Sequence, residues 1–122
     1  MTMLAEVKAI LTIDHGELET CVPPDPTDFC VAVRAIVGPR NQEGEESFDV
    51  KVCTPAWINR FCQERGAVLG RHYLIVSAYN PALIRSVLTK QIERCSGSSW
   101  GDIAAKLRQI GHWEFEDYRP SD

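Results

Sequence analysis

Two stretches decide the fold: Phe29-Cys30-Val31-Ala32-Val33-Arg34-Ala35-Ile36-Val37 and Ser47-Phe48-Asp49-Val50-Lys51-Val52-Cys53. In the first, Phe29, Val31, Val33, Ala35 and Val37 share one parity. In the second, Phe48, Val50 and Val52 do so, with Asp49 and Lys51 on the other parity. Successive side chains of a strand leave opposite faces, so a period of two predicts strands with one face in a core. Gly38-Pro39 ends the first run, and Asn41-Gln42-Glu43-Gly44 supplies a turn of hairpin size. An antiparallel hairpin follows.

Towards the N-terminus, Ala5, Val7, Ala9, Leu11 and Ile13 alternate with Glu6, Lys8 and Thr12, predicting a further strand with the first set inward. Between it and the hairpin lies residues 14–28, where Asp14, Glu17, Glu19, Asp25 and Asp28 occur without a Lys or Arg. Its Pro23-Pro24-Asp25-Pro26 cluster lacks three backbone donors and fits neither a central strand nor a helix. An ordered or semi-ordered acidic loop is expected.

Towards the C-terminus the period changes. Thr54-Pro55 reads as an N-cap with proline at the first helical position, followed by Trp57, Ile58, Phe61 and Cys62 at helical spacing and a stop at Gly66. Residues 72–79 hold the apolar core Leu74-Ile75-Val76 and predict a covered central strand. Asn80-Pro81 opens a second helix with the stripe Leu83, Ile84, Val87, Leu88 and Ile92. Ser99 with Asp102 resembles a capping box for a third, faced by Ile103, Leu107 and Ile110 and ended by Gly111. The tail His112-Trp113-Glu114-Phe115-Glu116-Asp117-Tyr118 alternates ring and acid, as an edge strand or an extended arm. The order β-β-β-α-β-α-α predicts an α+β fold: an antiparallel sheet of about four strands with helices packed on one face.

The 122 residues suit one domain spanning 1–122. No apolar run reaches the roughly 20 residues of a membrane span, and the first 13 residues alternate, unlike a secretory signal. A cytoplasmic location and no membrane partner are the expectations. The five cysteines form no C-x-x-C pair, so neither a redox motif nor a zinc knuckle is present, and most of them read as small buried apolar residues. Charge is unevenly distributed: residues 1–50 carry a net −7, residues 51–108 a net +6, and residues 109–122 a net −3.

Chemistry-bearing motifs are scarce. His15, His72 and His112 belong to no metal pattern, and no glycine-rich phosphate loop occurs. Glu45-Glu46 and Glu116-Asp117 lie in a turn and a tail, not where a cleft would raise one pKa. Arg60, Arg65, Arg71, Arg85, Lys90 and Arg94 could form a basic patch, yet a pI of about 5.3 and the absence of interleaved bases and aromatics argue against direct nucleic-acid binding. No catalytic residue, metal or cofactor is predicted. A partner protein fits better: Asp14, Glu17, Glu19, Asp25, Asp28, Glu114, Glu116 and Asp117 stand near Leu18, Val22, Trp113, Phe115 and Tyr118, an acidic rim around apolar anchors.

The strings Glu46-Ser47-Phe48-Asp49-Val50-Lys51-Val52-Cys53-Thr54-Pro55-Ala56-Trp57, Gly70-Arg71-His72-Tyr73-Leu74-Ile75-Val76, Ser99-Trp100 and Trp113-Glu114-Phe115-Glu116-Asp117-Tyr118 resemble the immunity protein 8 family, from Ala5 to Tyr118. The resemblance implies an antidote in a bacterial polymorphic toxin system, made in the cytoplasm, that binds and blocks a cognate toxin domain. The family supplies no catalytic motif to carry over. With a nuclease toxin, whose cleft must be basic to hold phosphates, the acidic residues would be the occluding surface. A regulatory or scaffold module with a different protein partner is the alternative, and the oligomeric state is left open.

Overall fold

The computed structural model describes residues 2–113. The hairpin is present as expected: β2 (Cys30–Pro39) pairs antiparallel with β3 (Glu46–Cys53), Val33 opposite Val50 and Ala35 opposite Phe48. Phe29, Val31, Val33, Ala35, Val37, Phe48, Val50 and Val52 are all buried, as their parity requires. Gly38 is needed where the loop folds back, because a Cβ there would come within 2.0 Å of the Gly44 carbonyl oxygen.

β1 (Met3–Thr12) pairs antiparallel with β2, but not with the expected facing. The register slips between Val7 and Ala9, where Lys8 is an extra residue, a β-bulge. A one-residue offset exchanges the two faces. Ala5 therefore lies in the core, while beyond the bulge Ile10 and Thr12 point inward and Ala9 and Ile13 are exposed. The inward placement of Ala9, Leu11 and Ile13 is thus corrected. Thr12 is tolerated at 1% exposure because its hydroxyl donates to the Gly16 carbonyl (2.6 Å) and accepts from the His15 amide (2.9 Å).

The sheet among the described residues has six strands rather than four, in the order β4-β3-β2-β1-β5, with β6 also on β3. β4 (Tyr73–Ile75) is short and runs parallel to β3, so the sheet is not purely antiparallel. The parallel pairing follows from the crossover through α1 (Pro55–Arg65), which returns the chain to the strand's starting end. β4 lies at an edge with Ile75 55% exposed, so it is not the covered central strand expected. β5 (Ser96–Gly97) pairs with β1 at Met3 and Leu4, and β6 (His112–Trp113) pairs with β3 at Asp49 and Phe48.

α2 (Pro81–Glu93) and α3 (Trp100–Leu107) supply the helical side of the core through Ile84, Leu88, Ile92, Ile103 and Leu107. Asn80 caps α2 by accepting from the Leu83 amide (3.1 Å), and Ser99 caps α3 by accepting from the Asp102 amide (3.2 Å). The capping box is incomplete, because Asp102 takes the Ser98 hydroxyl (2.7 Å). α1 differs from the other two helices: none of its side chains is fully buried. Thr54, expected as its cap, turns its hydroxyl to the Phe29 amide instead (3.2 Å). Gly66, at φ +85°, ends α1 as its sequence position implies.

Candidate partner-binding surface

The loop from Ile13 to Phe29 is built on a few buried side chains. Leu18, Cys21 and Pro23 point inward and Gly16 turns the chain at φ +76°. Tyr79, two residues before α2, secures it from below. Its hydroxyl donates to the Leu18 carbonyl (2.7 Å), its amide donates to the Pro26 carbonyl (2.8 Å), and its ring meets Phe29 edge-on at 5.3 Å. Burial pushes the Tyr79 hydroxyl pKa upward, so it stays a donor at neutral pH. The acids on this loop are therefore presented from an ordered frame.

Their surroundings differ. Asp14, Glu17, Glu19 and Asp25 are exposed and Asp28 is half-buried. Glu19 is held by Arg85 of α2, through contacts of 2.7 and 3.1 Å, and this pairing keeps its carboxyl below the ordinary glutamate value. Asp28 takes Arg60 of α1 at 2.5 Å. Asp25 accepts from the amide and hydroxyl of Thr27 (2.9 and 2.8 Å), which lowers its pKa and closes the turn. Five acids with Arg60 and Arg85 among them leave a net −3, against −5 for the loop alone. The linear sequence had placed both arginines in the basic half of the chain, 32 and 66 residues from their partners. Glu114, Glu116 and Asp117 lie outside the described residues.

Between the loop and α1 there is an open groove of about 320 Å³, floored by Phe29 and Val31 and walled by Val22, Pro23, Pro24 and Trp57. Val22 is 83% exposed. Trp57 stacks on Phe61 at 4.9 Å along the half-buried side of α1, and the Arg65 guanidinium lies over the Phe61 ring at 5.1 Å. Asp28 lines the groove, while Asp14 and Asp25 directly adjoin its lining residues His15 and Pro24 in the chain. The weak burial of α1 is what leaves this apolar wall open. A sequence signal for it existed, since the stripe Trp57, Ile58, Phe61 and Cys62 is narrower than that of α2.

Among the thiols, burial disfavours the nucleophilic thiolate at neutral pH. Burial raises the thiol pKa of Cys30, Cys53 and Cys95, Cys53 to about 11, opposite to the shift that makes a cysteine nucleophilic. His72 Nε2 sits 2.7 Å from the Arg108 carbonyl, its ring edge-on to His112 at 5.8 Å. These two line a second hollow of about 350 Å³ with Ile13, Ala32, Lys51 and Arg71, on the sheet face opposite the core. Among the described residues no group of three or more His, Cys, Asp or Glu could hold a metal ion, and no helix is long and apolar enough to cross a membrane.

Fold and surface together define a small α+β protein with exposed carboxylates on an ordered loop beside a partly apolar groove. The family model for Immunity protein 8 matches residues 5–118, and the chain belongs to that family. No curated protein and no solved structure matches it.

Proposed function

We propose that this chain is a cytoplasmic immunity protein of a bacterial polymorphic toxin system, a single domain that binds its cognate toxin domain and neutralises it by covering the active cleft. The family carries the antidote role. The observation that carries the surface is the groove beside Trp57, with Asp28 in its lining and Asp14 and Asp25 next in the chain to its lining residues His15 and Pro24. Apolar side chains free of the core supply anchors, and carboxylates on a fixed frame steer a basic partner at little reorganisation cost. A nuclease toxin is the partner this fits, because its cleft must be cationic. Asp14 and Glu17 are exposed acids of this surface, Asp25 is exposed and closes the Thr27 turn, Glu19 and Asp28 are braced by arginines, and Glu114, Glu116 and Asp117 extend the acidic set. The protein itself contacts neither nucleic acid nor membrane in this scheme, and uses no cofactor and no catalysis.

The test is co-expression with the toxin domain encoded by the neighbouring gene. Survival only when both are made, with a stable complex recovered, is the expected result. Death despite co-expression, with no complex, would move the protein to a regulatory or scaffold role with another partner.

A further inference from the structure

The β2–β3 ladder sets Cys30 directly opposite Cys53. The surrounding hydrogen bonds determine which kind of pair this is. One position along, the Thr54 amide donates to the Phe29 carbonyl (3.2 Å), so Phe29 and Thr54 face each other with their peptide groups. Cys53 instead offers its carbonyl to the Val76 amide (2.9 Å), on the β4 side. Ala32, of the same parity as Cys30, gives its carbonyl to the Ile13 amide (2.9 Å), on the β1 side. Cys30 and Cys53 thus turn their peptide groups away from each other and form a non-hydrogen-bonded pair. Opposed Cα atoms in such a pair lie about 4.5 Å apart with their side chains drawn together. That spacing falls inside the roughly 4.4–6.8 Å a disulfide spans. Both residues carry free thiols, with Cys53 fully buried and Cys30 half-buried. The other three cysteines, Cys21, Cys62 and Cys95, lie outside the strands, so none is placed opposite a thiol.

We propose that Cys30 and Cys53 are an oxidation site, a cross-strand dithiol that closes to a disulfide on exchange with a small-molecule disulfide such as oxidised glutathione. Cys30, the more open of the two, reacts first. Its thiolate attacks one sulfur of the small disulfide, forming a mixed disulfide and expelling one glutathione thiolate, which takes up a proton. The Cys53 thiolate then attacks the Cys30 sulfur and expels the second glutathione. Two protein thiols give up two electrons and two protons, and one oxidised glutathione becomes two thiols. The bond joins β2 to β3 at the root of α1, where the Thr54 hydroxyl already holds the Phe29 amide. Because burial holds both thiols above their ordinary pKa, exchange should be slow at neutral pH and quicken in alkali.

The experiment uses the whole protein at pH 8.5 with excess oxidised glutathione, quenched in acid and unfolded for thiol counting, intact mass and peptide mapping. Free thiols should fall from five to three, the mass should drop by two hydrogens, and digestion should release Cys30 and Cys53 joined in one fragment. In Cys53→Ala the reaction should halt at a glutathione adduct on Cys30. Five thiols remaining, a lasting adduct on Cys30 of the unaltered protein, or a bond between any other pair would each overturn the assignment.

Discussion

Reversing Asp14, Glu17 and Asp25 to lysine tests the acidic surface without touching its two arginine pairs. Glu19 and Asp28 are left alone because Arg85 and Arg60 hold them in place. Each substitution changes the local charge by two units, six in all, and takes the loop with its two arginines from −3 to +3. Two unit charges about 10 Å apart interact by about 0.4 kcal/mol in water, reduced to about 0.15 kcal/mol by a Debye length of about 10 Å at 0.1 M salt. Six units therefore cost about 1 kcal/mol per partner charge at 0.1 M and about 2.5 kcal/mol at very low salt. Association with the toxin domain should slow about fivefold at 0.1 M and up to about seventyfold at low salt, with dissociation changing less. Stopped-flow or surface-capture kinetics over a salt series reads this directly, and the melting temperature of the variant checks that the Thr27 turn survives loss of Asp25. An association rate that keeps its size and its salt dependence in a folded variant would refute the electrostatic reasoning, whatever the fate of the antidote role.

Further expectations concern the frame. Glu46 Oε2 accepts from both Trp100 and Trp113 indole nitrogens at 2.9 Å, so Glu46→Ala should cost about 2–4 kcal/mol in urea unfolding and Glu46→Gln less than half of that. Equal losses in the two variants would show that the carboxylate is not clamping the rings. Deleting Lys8 should regularise the β1–β2 ladder without moving any core side chain, giving a folded protein within about 1 kcal/mol of the parent, whereas deleting Leu11 should unfold it. A Lys8 deletion that fails to fold would mean that the bulge itself is required. The raised thiol of Cys53 contributes stability that is complete below the ordinary thiol pKa of 9.0 and is lost as pH rises towards about 11. The unfolding free energy from urea titrations should therefore stay level up to about pH 9 and then fall as the raised thiols Cys30, Cys53 and Cys95 ionise in the unfolded chain, the share of Cys53 being at most about 3 kcal/mol and missing in Cys53→Ala. An identical decline in both proteins would assign it to the other raised groups, Cys30, Cys95 and Tyr79.

The hairpin was legible because both of its strands keep strict alternation and a turn sits between them, so parity alone fixed which side chains meet. The same rule misled in β1. Ala9, Leu11 and Ile13 look as apolar as any inward set, and only the pairing with β2 shows that Lys8 shifts the parity in favour of Ile10 and Thr12. A buried threonine satisfied by a turn carbonyl four residues on is a local device, yet it competes on paper with three apolar residues on the other parity. β4 was misjudged for a different reason. Leu74-Ile75-Val76 is an apolar run, and apolar runs read as covered strands, but the strand here is three residues at a sheet edge with Ile75 facing out.

The candidate surface was legible in its acids and not in its balance. Sequence shows charge in order along the chain, whereas Coulomb's law acts across space, so the partners of Glu19 and Asp28 could not be read from a loop that contains no base. Their capture by Arg85 and Arg60 has two consequences that pull in opposite directions. It removes two charges from the field a partner would feel, and it fixes the loop to α1 and α2 so that the remaining acids keep their positions. Exposed ion pairs add only about 0.2–1 kcal/mol to stability, too little to be their main effect beside the buried Leu18 and Tyr79 contacts. Positioning is the effect that remains. Arg60 ties the loop to the helix that carries Trp57, so an ion pair links the Asp28 side of the groove to its apolar wall. An Arg60→Ala variant should then leave the acids in place chemically while loosening them relative to Trp57. Binding should weaken even though the surface becomes one charge more negative, the reverse of what steering alone predicts. A variant that binds a basic toxin domain more tightly than the parent would show that net charge, and not the geometry of the groove, governs recognition.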